Sequence, residues 1–188
     1  MGRESHFPMK NIFGQTSSPI IDFRSMNDKT ILVRQIRLLL LIFIIGLVFS
    51  GITAIPLETE LRLLTKISEK DDPRLRSGFS IWLNKVCNGL VETDTKYPFM
   101  PYGTDWLAFA HFVIAIVFVG PLRDPVKNIW VVEFGMIACV LVIPFALIMG
   151  SIREIPLGWQ LIDCSFGVLG IIPLWFCHRQ IRKLKIMK

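Results

Sequence analysis

The sequence predicts an all-α integral membrane protein: a four-helix bundle with two short amphipathic helices outside the membrane between spans 1 and 2. Three observations carry this expectation. The chain of 188 residues is 52% hydrophobic with a mean hydropathy of +0.52, more apolar material than one small soluble core requires. That material is gathered in runs: 38–55 is uncharged over 18 residues, 106–120 over 15, 129–150 over 22 with only Glu133 inside, and 155–177 over 23 with only Asp163 inside. Finally, the lysines and arginines fall on one side. Segments 1–37, 121–128 and 178–188 hold 13 Lys/Arg against 4 Asp/Glu, whereas the remaining connecting segments hold 8 against 9. This is the positive-inside pattern of four spans with both termini cytoplasmic.

The chain therefore divides into a cytoplasmic N-terminal segment 1–34, a membrane domain 35–178 and a basic cytoplasmic tail 179–188. The spans are expected at about 36–55, 105–121, 129–150 and 156–177, with an extracytoplasmic segment at 56–104. Roughly 20 residues cross a ~30 Å hydrocarbon core, so three runs fit and the second is short. Either Pro121 and Leu122 still sit in the headgroup layer there, or the bilayer thins or flanking residues snorkel. Trp106, Trp130, Trp159 and Trp175 lie within a few residues of span ends, as an aromatic belt requires.

Taken in order, residues 1–33 scatter Ser, Pro, Asn and Gly without a sustained period and read as a mostly irregular lead. The lead is not a cleavable signal, because the apolar run begins late and no small-residue cleavage pattern follows it. The opening MGRESH places His6 where a myristoylation signal needs Ser or Thr. Arg34 and Arg37 abut the first span; they act as an orientation signal and also suit an anionic lipid surface.

After the first span, Pro56 opens a stripe of Leu57, Leu61, Leu64 and Ile67 at helical spacing. The run KDDPRL breaks it at Pro73, and Phe79, Trp82, Leu83, Val86 and Leu90 form a second stripe capped by Ser77. The stretch ETDTKYPFMPYGTD then reads as an ordered loop. These two helices either lie on the outer leaflet or cap the bundle mouth. With seven basic and eight acidic residues over 56–105 they lack the cationic face of surface-seeking helices, which favours the cap.

Cys87 alone lies outside; Cys139 and Cys164 are inside spans, and Cys177 is at a cytoplasmic end. No disulfide between exported cysteines and no metal-ligand spacing results, and no metal or cofactor is expected. Nor is there a Gly-rich phosphate loop, a GxSxG, an HExxH or a repeat, and nothing points to nucleic acid.

What carries chemistry is the set of ionisable residues inside the spans. On this topology His111 lies about six residues, ~9 Å, below Asp105, and Asp163 lies at a comparable depth below Arg153 and Glu154. Ala108 and Ala115 around His111, and Gln160, Gly167 and Gly170 around Asp163, place both on faces suited to close packing. The expectation is a His111–Asp163 pair in the outer half, either locking two helices or serving as acid, base or ligand, with Asp105, Arg153 and YPFMPYGTD at its entrance. Glu133, four residues into the third span, snorkels to the inner interface or pairs with Arg123 or Lys127.

The stretch DWLAFAH opening one span and REIPLGWQLIDCSFGVLG at a later one resemble the VanZ-like family of small bacterial membrane proteins over 105–172. The resemblance implies a cell-envelope role at the outer face of a bacterial plasma membrane. It carries the family's pattern onto Asp105, His111, Arg153, Asp163 and Gly170. Two function classes fit: a non-enzymatic structural or accessory protein that recruits a membrane protein partner, and an enzyme or carrier for a lipid-linked or amphiphilic substrate using His111 and Asp163. The residues favour the first.

Overall fold

A computed structural model describes residues 23–68 and 78–187. Seven helices follow in order: α1 (Phe23–Ala54), α2 (Leu57–Ser68), α3 (Gly78–Lys96), α4 (Tyr102–Val117), α5 (Val119–Arg123), α6 (Ile129–Ile152) and α7 (Leu157–Ile186). No strand occurs among the described residues. Four stretches are long and apolar enough to cross a membrane: Met26–Ala54, Tyr102–Arg123, Ile129–Ile152 and Leu157–Ile186. Large apolar side chains cover their outsides, among them Ile45, Phe49, Ile116, Phe145, Phe166 and Leu169. A water-exposed protein does not present such a continuous apolar exterior, so the solvent of this surface is lipid.

The second span is not short. It begins at Tyr102, ahead of the uncharged run 106–120, and continues through Pro121 to Arg123. Pro121 lacks an N–H, yet the helical path survives because the bonds on either side are made: Phe118 N–H to Ile114 O at 3.3 Å, Leu122 N–H to Phe118 O at 3.3 Å and Asp124 N–H to Gly120 O at 3.0 Å. The chain then reverses in a tight turn. The Asn128 side-chain amide donates to Gly120 O (3.1 Å) and Asp124 O (3.0 Å), and Asp124 Oδ1 accepts from Lys127 N–H (3.1 Å), so side chains of the turn tie the end of α5 to the start of α6.

Packing is organised by α1 and by the α6–α7 hairpin. α6 lies along α7, while α1 packs against both α4 and α7. At the end of the bundle where α1 begins and α7 ends (the terminal end below), Ile36, Leu40, Phe118, Val131, Val132, Leu174, Cys177, Ile181 and Leu184 form one buried cluster. Phe43 and Phe118 meet there with ring centroids 4.7 Å apart. Along α7 the buried positions Gln160, Cys164, Gly167, Leu174, Cys177, Ile181 and Leu184 recur at three, four or seven residues, the spacing of a helix–helix seam.

Two expectations about irregular chain are corrected. Residues 23–33 continue α1 as helix, because once a helix exists each added residue gains a hydrogen bond for the two dihedrals it fixes. Val33 and Ile36 also contribute to the terminal-end cluster. Likewise ETDTK belongs to α3, which leaves only 97–101 as a turn into α4.

The helices α2 and α3 form as the periodicity predicts, but their apolar faces turn toward each other. Leu61, Leu83 and Cys87 are buried between them, with Leu57, Val86, Leu90, Val91 and Trp159 of α7 packed around. Leu64 is exposed, as are Leu63 and Ile81. The break at Pro73, the Ser77 cap and the lead 1–22 lie outside the described residues, as do the side chains of Ile67 and Phe79. Trp106, Trp130 and Trp175 expose their rings as a belt requires, whereas Trp159 is partly buried against the α2–α3 pair.

Candidate functional site

The ionisable residues of the spans are held by helices whose faces small residues define. Ala108 and Ala115 bury one side of α4, and Gly51 of α1 sits so close that an added Cβ would meet a Phe112 ring carbon at 2.7 Å and Ala108 O at 3.1 Å. His111 lies beside this crossing and is half-buried. Its Nδ1 is 2.7 Å from Leu107 O one turn earlier, and since a carbonyl only accepts, Nδ1 carries the proton.

Asp163 is half-buried on α7 and forms no hydrogen bond or ion pair with any described residue. Its neighbours Gln160, Cys164 and Gly167 take the seam positions against α6. Gln160 Nε2 donates to Ile155 O at 2.7 Å and its side chain covers Gly150, where an added Cβ would meet Gln160 Cγ at 2.5 Å. Gly167 lies directly on the backbone carbonyl of Cys139. The sequence therefore identified Gly167, though not Gly150, as a point of close approach, and Asp163 itself stands beside the seam.

The structure does not bring His111 and Asp163 together. α1 packs against both α4 and α7, and no bond links the two side chains. Similar depth in the membrane says nothing about which helices are neighbours. Asp105 occupies the first turn of α4, where a carboxylate suits the positive end of the helix dipole, and is exposed. Arg153 closes α6 and is exposed as well. The adjoining Glu154 is left-handed (φ 55°), with Glu154 N–H to Ser151 O at 3.3 Å and Ile155 N–H to Gly150 O at 2.9 Å, the two bonds of a Schellman motif in which Glu154 takes the position that favours glycine.

One polar contact between spans is not legible in the sequence. Glu133 of α6 meets His178 of α7, Oε1 to Nε2 at 3.2 Å, with side-chain exposures of 52% and 18%. From the sequence Glu133 pairs with Arg123 or Lys127, or snorkels, because His178 falls one residue past the expected fourth span. The signal for His178 was the seam itself, since the spacing of Leu174, Cys177, Ile181 and Leu184 carries α7 past the end of its uncharged run. Among the described residues no group of three or more His, Cys, Asp or Glu side chains could hold a metal ion.

The architecture is thus a four-span helical protein whose intramembrane ionisable groups are distributed, with one pair joined near the terminal end. Comparison with protein-family models, with curated proteins and with solved structures finds no match.

Proposed function

We propose that this chain is a multi-pass protein of the bacterial plasma membrane with both termini cytoplasmic, acting as a non-enzymatic structural or accessory component of the cell envelope. The observation that carries the reading is the α2–α3 pair. It encloses its own small core of Leu61, Leu83 and Cys87, rests on the bundle through Trp159, and leaves Leu63, Leu64 and Ile81 exposed. Such a pair at the bundle mouth is a cap with an apolar edge suited to a membrane protein partner. The Lys/Arg asymmetry supports the orientation, and the VanZ-like pattern over 105–172 supports the envelope placement.

Two measurements test this. A fluorescent tag after Lys188 is expected to report the cytoplasm, and a signal from the outer face would overturn the orientation. In a deletion strain under envelope stress, the His111→Ala and Asp163→Ala variants are expected to complement. A Leu64→Glu/Ile81→Glu variant of unchanged expression and thermal stability is expected to fail.

A second reading, a carrier or enzyme for an amphiphilic or lipid-linked substrate, rests on Asp163. An unpaired carboxylate in lipid costs a few kcal/mol, so a ligand that satisfied it would bind favourably. Loss of complementation by Asp163→Ala and His111→Ala, with Leu64→Glu/Ile81→Glu intact, would establish this reading in place of the first.

A further inference from the structure

We infer that the N-terminal part of α1 holds a discrete binding site for one anionic phospholipid. A groove of about 610 Å³ runs along this helix, lined by Lys29, Thr30, Val33, Arg34, Arg37, Leu38 and Leu41. Lys29, Val33, Arg37 and Leu41 succeed one another four residues apart on one edge, with Thr30, Arg34 and Leu38 on the other. The order along the groove is that of an amphiphile. Three cations and a hydroxyl line the end toward the chain terminus, while Leu38 and Leu41, 58% and 42% exposed, continue it into the apolar part of the span.

The depth fits a headgroup. Phe43 of α1 and Gly170 of α7 stand at one level, since an added Cβ on Gly170 would lie 3.4 Å from the Phe43 ring. From that level Arg37 is ~9 Å and Arg34 ~13.5 Å toward the terminal end, at 1.5 Å per residue. On α7 the same count gives ~7.5 Å for Trp175 and ~13.5 Å for Arg179. Trp175 is an exposed ring with the Arg179 guanidinium 4.7 Å from its centroid, the amphipathic arrangement of a membrane–water interface. Arg34 and Arg37 therefore lie at headgroup level and Leu38 and Leu41 below it.

The cations are also uncommitted. Lys29, Arg34 and Arg37 form no ion pair or hydrogen bond with any described residue. The nearby acid on α1, Asp28, lines a different groove, with Lys183 of α7. Two guanidiniums one turn apart present several donors to a phosphodiester, and each basic residue at a membrane surface adds to the attraction for anionic lipid. The site follows from the four-span arrangement and does not depend on which face of the membrane the termini occupy.

The test is lipid-dependent thermal stability of the purified full chain in a non-ionic detergent. Phosphatidylglycerol is expected to raise the unfolding temperature at a half-saturating concentration at least tenfold below that of phosphatidylcholine. In Arg34→Gln/Arg37→Gln this concentration should rise roughly ten- to thirtyfold, while Arg123→Gln/Lys127→Gln, charges at the same end but off the groove, should stay within about twofold of the wild type, as additivity of distant sites requires. Native mass spectrometry of the wild type supplies an independent reading, with one phosphatidylglycerol retained in preference to phosphatidylcholine. Equal responses to the two lipids, or equal losses in the two double variants, would overturn the site. So would a full stabilising shift produced by inorganic phosphate alone, because the apolar half of the groove would then contribute nothing.

Discussion

Substituting Gly167 with Ala tests the α6–α7 crossing, and Gly46→Ala on α1 is its matched control. Both replace glycine by alanine inside a long apolar helix, so both gain the same helix propensity, about 0.8–1 kcal/mol in water-based hosts. They differ in what the new methyl group meets. At Gly46 nothing lies within 4 Å of an added Cβ, whereas at Gly167 it falls on the backbone oxygen of Cys139, with Ile143 Cγ1 at 3.4 Å. A carbonyl in the middle of a helix cannot swing aside as a side chain can. Restoring an ordinary C···O separation of about 3.3–3.6 Å requires α6 and α7 to part locally by roughly 1 Å. A gap of about 0.5–1 Å already forfeits a quarter to a half of each dispersion contact across the seam, and overpacking of this kind costs about 1–3 kcal/mol. Because propensity cancels in the comparison, Gly167→Ala should be less stable than Gly46→Ala by about that amount. Equilibrium unfolding in mixed micelles measures the difference. If the two variants unfold together, the helices do not cross at Gly167 as described.

Three further outcomes follow from the same geometry. His111→Ala and Asp163→Ala should be additive within about 0.5 kcal/mol in a double-mutant cycle, since no contact joins them; a larger coupling would restore the pair expected from depth alone. Glu133→Gln and His178→Gln should instead be coupled, by roughly 0.2–1 kcal/mol because Glu133 is half exposed, and strict additivity would mean that the 3.2 Å contact is not maintained. Glu154→Gly should raise the thermal midpoint, since it removes roughly 1–2 kcal/mol of left-handed backbone strain at the α6–α7 turn; a lower midpoint would show that the Glu154 side chain makes a compensating contact.

Number, order and approximate limits of the spans were legible because a run of apolar residues has one physical solution in lipid. Their ends were less so. The second span looks short when it is measured over the run 106–120, although near a helix end Pro121 removes one hydrogen bond without ending the helical path. The first and last spans run on through Lys29, Arg34, Arg179 and Arg182, whose charges mark the membrane boundary and not the helix boundary. The small residues Ala108, Ala115 and Gly167 marked packed faces, because in an environment where every face is apolar only side-chain size distinguishes neighbour helix from lipid. Adjacency of helices was not legible. Equal depth made His111 and Asp163 plausible partners, but depth fixes one coordinate, and each of their helices packs against α1.

The two ends of the bundle are built from different side chains, and this accounts for where its ionisable groups ended up. At the end carrying the termini the seam is made of large residues, Phe118, Ile36, Leu40, Leu174 and Ile181, all fully buried. They fill the space between α1, α6 and α7, and the Glu133–His178 contact stands beside this packing, where two helices fixed by a large core can hold a pair in register. Toward the other end the contacts are Gly51 on Phe112 and Ala108, Gly150 on Gln160 and Gly167 on Cys139. There the helices approach so closely that no long polar side chain fits between them, apart from Gln160, whose amide is used by Ile155. His111 and Asp163 are therefore displaced to the flanks of their helices. His111 satisfies its proton on its own backbone, and Asp163 is left facing whatever lies beside the bundle. A polar residue adjoining a seam of glycine and alanine marks a surface available to a partner or a lipid, while one beside a seam of leucine and phenylalanine marks an internal pair.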